Sequence, residues 1–210
     1  MKTVILNGSP RKNWNTAMIL KEAQKGAEAK GDEVLYVDLY DLNFTGCRSC
    51  LACKRAGIDE PCKCYWKDEF SPVLEEIYKA DHLILGSPIY FGQPTGVLRE
   101  ALERIVFPAL SYNDYSSTFK GKVDVSVFLT MNVGGDRYPA FYGQKMEEYF
   151  SSFGKLNGKI SIYPVCNTLQ VNDYSKYEMK GFNPEAKKFS RQEQFPKDLE
   201  IAYKVGAREL

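Results

Sequence analysis

The 210-residue chain reads as one α/β domain, a parallel sheet with helices on both faces. Three observations predict it. Short apolar runs rich in β-branched residues alternate with stretches whose apolar positions recur at helical spacing. One of those runs, His82-Leu83-Ile84-Leu85-Gly86, is nearly continuous, as suits a central parallel strand buried on both faces. Three of the runs also end in loops punctuated by Gly or Pro, and ligands of open α/β sheets bind outside the carboxyl ends of the strands. With 44% hydrophobic residues one sizeable core is expected, burying about 70% of the unfolded surface.

Met1 to Asn7 is the first strand; Gly8-Ser9-Pro10 ends it, and a helix follows from about Asn15 to Lys30. Gly31-Asp32 turns the chain into the second strand, Glu33 to Val37, completing a β-α-β unit whose crossover should be right-handed. A connector from Asp38 leads to a cysteine-rich excursion at about 45–67, where Gly57 and Pro61 break any long helix. Phe70, Val73, Leu74, Ile77 and Tyr78 place a helix over 68–80. The third strand, His82 to Gly86, opens into a long loop, Ser87 to Gly96, and then a helix over Val97 to Phe107. Val123 to Thr130 is the fourth strand, with the Met131 to Asp136 loop after it. Phe141 to Phe153 reads as a helix and Lys159 to Tyr163 as the fifth strand. An extension over 166–210 completes the single domain. Its Tyr-, Asn- and Lys-rich start, Cys166 to Phe182, is open between a lid, a partner-facing arm and plain surface, and a charged helix from Glu185 to Leu210 is interrupted near Pro196.

Lys+Arg 28 against Asp+Glu 27 leaves a formal charge of +1, so nothing drives the chain toward nucleic acid or an anionic membrane, and a small partner is expected. No apolar run is long enough to span a bilayer, and the first residues form a core-type strand instead of a signal peptide, which places the protein in the cytoplasm. In a reducing compartment, the packing of Cys47, Cys50, Cys53, Cys62 and Cys64 into one segment points to a metal, an iron–sulfur centre or redox thiols rather than to disulfides.

The first loop leads into a helix N-terminus, where unpaired N–H groups and the positive dipole end favour an anion. Ser9, Asn15 and Thr16 offer hydroxyl and amide groups and Arg11 a planar charged fork, a set suited to a phosphate monoester. The loop lacks both the Gly-x-Gly-x-x-Gly spacing of dinucleotide folds and the Gly-Lys-Ser/Thr ending of nucleoside triphosphate loops. The alternative is an ordinary turn with Asn15 or Thr16 as helix N-cap.

Three blocks together resemble the NADPH-dependent FMN reductase family of flavodoxin-like proteins, and within it the iron–sulfur flavoproteins. They are Gly8-Ser9-Pro10-Arg11 with Asn15-Thr16, the cysteine cluster leading to Lys67-Asp68, and Gly86 to Phe91 with Gly96 and Arg104. The resemblance implies a flavodoxin-like three-layer sandwich with a five-stranded parallel sheet in the order 2-1-3-4-5. It implies that Ser9, Arg11, Asn15 and Thr16 hold the FMN phosphate, that Pro88, Ile89, Tyr90 and Phe91 line the isoalloxazine ring, and that Asn132, Gly134 and Gly135 close the other side. It also implies NAD(P)H as electron donor, a small-molecule or protein redox partner, and a homodimer or homotetramer. Trp14 departs from the small residue usual in such loops. It can shelter the phosphate, stack in the pocket or pack on a neighbouring subunit.

Cys47, Cys50 and Cys53 recur every third residue, which points their thiols to one side; a fourth ligand must come from Cys62 or Cys64. Cys64, just before Tyr65-Trp66-Lys67-Asp68, matches the family position better, although the family's fourth cysteine follows the third more closely. A [4Fe–4S] cluster, a tetrahedral zinc site and free redox thiols are the alternatives. Cys166 reads as an apolar filler and His82, the one histidine, as structural. No nucleophile elbow accompanies that histidine, so acid–base chemistry is poorly supplied, whereas a flavin carries its own electron chemistry. The expected function is an FMN oxidoreductase. A non-enzymatic flavin or redox-sensing module and a phosphate-recognising hydrolase are the rivals.

Overall fold

In a computed structural model that describes residues 1–58 and 62–210, the first strand is an interior strand of the predicted sheet. β1 (Lys2–Asn7) pairs in parallel with β2 (Glu33–Asp38) on one side and with β3 (His82–Tyr90) on the other. β3 pairs in parallel with β5 (Val123–Thr130), and β5 with β6 (Asn157–Val165), giving the order β2-β1-β3-β5-β6. Counted by the long strands alone, this is the expected 2-1-3-4-5 arrangement.

The strand count needs a correction: the sheet has six strands, because β4 (Gln93–Pro94) folds back antiparallel on the end of β3. The turn between them, Phe91-Gly92, has φ of 51° and 79°, the double positive φ of a tight hairpin. β3 also runs on through residues expected to be loop, since Ser87 pairs with Leu129 and Pro88 with Thr130. Pro61 lies outside the described residues.

Strand periodicity sorts the core. Val4, Leu6, Leu83, Leu85, Val125 and Val127 face one side and pack with α2 (Ser71–Ile77), α3 (Gly96–Ala109) and α4 (Gln144–Phe150) through Phe70, Ile77, Ile105 and Phe150. Ile5, Ile84 and Phe128 face the other and pack with α1 (Asn15–Ala29) and α6 (Phe195–Gly206). Each fully buried side chain of this size contributes about 1.5–3 kcal/mol. β1, β3 and β5 are buried along nearly their whole length, while β2 and β6, at the edges, are only partly so.

The helices are shorter or more broken than their periodicity suggests. α2 begins only at Ser71, and the helix expected over 141–153 is a π turn (Pro139–Gly143), α4 and a 3₁₀ turn (Ser151–Leu156). The C-terminal helix divides near Pro196, as expected, into α5 (Pro184–Glu193) and α6. α6 crosses α1 backbone to backbone, for a Cβ on Gly206 would lie 1.8 Å from the Ala23 carbonyl oxygen. Among the described residues no helix is long and apolar enough to cross a membrane.

Candidate functional site

The loop between β1 and α1 is held by bonds to the β3 side of the sheet and by turns of its own. Gly8 N–H donates to the Gly86 carbonyl at 2.8 Å, and the Thr95 hydroxyl donates to the Gly8 carbonyl at 2.7 Å. Asn7 Oδ1 accepts from Ser9 N–H, and Ser9 Oγ from Arg11 N–H. α1 approaches the sheet closely because Gly86 has no side chain; a Cβ there would lie 2.6 Å from Leu20 Cδ1. The N-cap is Trp14, not Asn15 or Thr16, and it supplies no side-chain acceptor. The first-turn N–H groups of α1 therefore lack a side-chain cap, the arrangement an anion can complete.

Ser9, Arg11, Asn15 and Thr16 line one cavity of about 240 Å³ with Pro88, Ile89, Tyr90 and Asn132. The carboxyl ends of β1, β3 and β5 thus converge there, with hydroxyl, amide and guanidinium groups at one end and Pro88, Ile89 and Tyr90 at the other. Phe91 stays outside, fully exposed on its hairpin turn. Gly134 and Gly135 line a separate cavity of about 670 Å³ with Cys166 and Asp198.

Sequence reasoning left the segment after β6 open between a lid, a partner-facing arm and plain surface, and did not name its residues as part of the site. Thr168, Gln170 and Phe182 line the 240 Å³ cavity, and the Leu169 and Gln170 carbonyls strap the first loop. The Trp14 indole N–H donates to the Leu169 carbonyl at 2.9 Å, Asn15 Nδ2 to the same oxygen at 2.8 Å, and Arg11 Nη1 to the Gln170 carbonyl at 2.7 Å. Arg11 also lies over the Trp14 ring, 4.3 Å from its centroid. The strap is held in turn to the loop after β5, with Asn167 N–H on the Val133 carbonyl and Thr168 N–H on the Met131 carbonyl. No periodicity marks these residues; only the unpaired Trp14 hinted at a partner. Behind the cavity wall Lys187 Nζ donates to the Asn132 carbonyl at 2.8 Å, and burial lowers its ammonium pKa to about 8.

The cysteines divide into two environments. Cys47, Cys50, Cys53 and Cys64 line one small cavity of about 20 Å³. Cys62 is turned away, buried, with its sulfur 3.4 Å from the Thr118 hydroxyl. Burial raises the Cys53 and Cys62 thiols above their ordinary pKa. The excursion is tied to α3: Glu103 accepts from Cys47 N–H, and Lys54 Nζ donates to the carbonyls of Phe107, Pro108 and Leu110 at the helix end. Among the described residues no three Cys, His, Asp or Glu side chains already stand in single-ion ligating geometry. The donor chemistry, four soft thiols around one cavity, is that of an iron–sulfur or zinc centre.

His82 is buried at the amino end of β3, its Nε2 2.9 Å from Ser126 Oγ. Burial, reinforced by the Arg208 charge, lowers its pKa to about 4. Eight residues of strand, about 26 Å at 3.3 Å each, separate it from Tyr90, so it takes no part in the cavity. Cys166 packs against the core but is only half-buried and lines the 670 Å³ cavity; burial pushes its thiol up to about 11.

A model of the NADPH-dependent FMN reductase family matches residues 1–140. An iron–sulfur flavoprotein of Methanocaldococcus jannaschii is 34% identical over 104 residues, which cover 50% of this chain and 51% of that protein. The chain thus spans about half the length of that relative. An iron–sulfur flavoprotein of Archaeoglobus fulgidus is 27% identical over 194 residues, covering 86% of this chain and 84% of the relative. Among solved structures, an NAD(P)H:quinone oxidoreductase from Methanothermobacter marburgensis superposes with a TM-score of 0.70 at 16% identity, covering 99% of this chain and 96% of that one. At that identity the likeness shows the fold, and an archaeal flavodoxin shares it at a TM-score of 0.52.

Proposed function

Because the chain belongs to the NADPH-dependent FMN reductase family, we propose that it is an FMN oxidoreductase that takes electrons from NAD(P)H or a protein donor and passes them to a small acceptor or redox partner. The observation that carries this reading is the single cavity in which the first loop meets Pro88, Ile89, Tyr90 and Asn132. Bound there, FMN supplies the two-electron chemistry, and the protein supplies binding, orientation and electrostatics.

The residues fit those tasks. Ser9, Thr16 and the uncapped first turn of α1 suit a phosphate dianion, and Arg11 brings a charge within reach of it. Pro88, Ile89 and Tyr90 give a flat ring an apolar wall, with Asn132 opposite. The strap from Thr168 to Gln170 borders the polar end and is bonded to Arg11, Trp14 and Asn15 there. Gly134 and Gly135 act from the next cavity, by shaping the loop that carries Asn132.

Cys47, Cys50, Cys53 and Cys64 would hold a [4Fe–4S] cluster, which would supply single-electron transfer chemistry beside the flavin domain. Cys62 faces Thr118 and is not the fourth ligand in this reading. The exposed Phe91 beside the cavity mouth suits a subunit contact, so a homodimer or homotetramer is proposed as well, to be read from light scattering.

The test is absorbance of anaerobically prepared protein together with iron and zinc assays, FMN titration, and turnover of NADH and NADPH with a quinone or free flavin as acceptor. The reading holds if FMN binds and nicotinamide oxidation depends on it. Absence of flavin binding overturns it, and flavin binding without turnover favours the redox-sensing module. Turnover of a phosphomonoester without flavin would restore the hydrolase.

A further inference from the structure

The largest fully buried side chain among the described residues is a charged one, Arg104 on α3, 1% exposed. A buried guanidinium is tolerated only when its N–H groups find acceptors, and here five hydrogen bonds match its five donors. Nη1 donates to Asp68 Oδ2 at 2.7 Å and to the Thr45 carbonyl at 3.0 Å; Nη2 donates to the Trp66 carbonyl at 3.1 Å and to Asp68 Oδ1 at 3.4 Å. The fifth, Nε–H, points at the sulfur of Cys64 at 3.1 Å.

Two consequences follow from this pattern. Thr45 stands at the start of the cysteine excursion and Trp66 and Asp68 at its end, so one side chain clamps both ends to α3 and brings Cys64 back beside Cys47, Cys50 and Cys53. Four of the five donors accomplish that clamping with oxygen acceptors. The fifth is spent on a sulfur, a weak acceptor as a neutral thiol and a good one as a free or metal-bound thiolate. Cys62, two residues away, has the Thr118 hydroxyl beside it instead.

We propose that Arg104 is a positioning residue for the thiolate-held centre. Its fork fixes the Cys64 sulfur in the ring of thiols, and its Nε–H and positive charge raise the reduction potential of the iron–sulfur group bound there. The proposal rests on the cluster reading given above. One-electron reduction adds one negative charge to the centre, breaks no bond and needs no proton. A cation hydrogen-bonded to a ligating sulfur stabilises that more negative form, and hydrogen bonds to sulfur and net charge are among the levers that set such potentials. Asp68 opposes the effect by neutralising part of the guanidinium charge.

The test is a dithionite redox titration, followed by electron paramagnetic resonance, of the full chain reconstituted anaerobically with iron and sulfide. Arg104→Gln should lower the reduced-to-oxidised ratio at fixed potential about tenfold, which is about 59 mV for a one-electron couple. Asp68→Asn should move it the opposite way. If Arg104→Gln alone fails to fold because Asp68 is left buried and unpaired, the double variant Arg104→Gln, Asp68→Asn removes that orphan charge, and its potential should lie below that of Asp68→Asn. Unchanged potentials, with intact iron content in the variants, would show Arg104 to be a structural clamp only and overturn the proposal. Failure of the wild-type chain to take up iron and sulfide would overturn the cluster reading itself, and that result is visible in the wild-type arm alone.

Discussion

Replacing Trp14 by Phe tests whether the strap over the first loop contributes to flavin binding. The substitution keeps an aromatic ring under Arg11 but removes the indole N–H that reaches the Leu169 carbonyl at 2.9 Å. That oxygen also accepts from Asn15 Nδ2 at 2.8 Å, so it is not left unsatisfied, and the loss is that of one neutral hydrogen bond, about 1 kcal/mol. Phe is a poorer cation partner than Trp, which adds a few tenths, so the strap is destabilised by about 1–1.5 kcal/mol. If the strap must be seated for FMN to be held, the Kd rises roughly five- to tenfold. Quenching of flavin fluorescence measures the Kd, and hydrogen exchange over 167–182 reports the strap. Faster exchange in the strap with an unchanged Kd would refute the coupling, and a weaker Kd with unchanged exchange would refute the route assigned to it.

Other expectations follow from the buried charges and the packing. Asp32 is clamped bidentately by Arg208 and bonded by Thr3, which lowers its pKa from 3.8 to about 2 despite burial. Because the folded-state pKa is depressed, its stabilisation, about 2 kcal/mol, is present above pH 4 and lost as pH falls toward 2. Asp32→Asn should therefore unfold at lower denaturant at pH 7 and lose the corresponding acid-dependent slope. His82 behaves alike at a higher pH. Its pKa is lowered from 6.5 to about 4 by burial, so stability falls by about 3 kcal/mol as pH drops through that window. His82→Asn should flatten thermal stability between pH 7 and pH 4. Gly86→Ala would place a Cβ 2.6 Å from the fully buried Leu20. A cost of about 1–3 kcal/mol, read as a fall in Tm of roughly 2–4 °C per kcal/mol, and weaker FMN binding from the displaced α1 are expected.

Local pattern alone determined the succession of strands and helices, the parallel character of the sheet and the three loops that meet at the cavity. The reason is that continuous β-branched runs, helical stripes and Gly or Pro stops are consequences of backbone chemistry within a few residues. The same applies to Ser9, Arg11, Asn15 and Thr16, which lie together because a turn and a helix start put them together. Tertiary packing decided what local pattern leaves free. The Phe91-Gly92 hairpin carried Phe91 out of the cavity while Tyr90 stayed in, a consequence of pairing between β3 and β4. Thr168, Gln170 and Phe182 reached the cavity from a stretch without periodicity, because the positions they take depend on bonds to residues more than a hundred positions earlier. Which of the thiols lies beside a buried cation likewise lay beyond spacing. Arg104, 40 residues on from Cys64, donates a hydrogen bond to its sulfur and clamps the backbone on both sides of the excursion. A buried cation must gather every acceptor within its reach, and only the folded chain shows which thiol is among them.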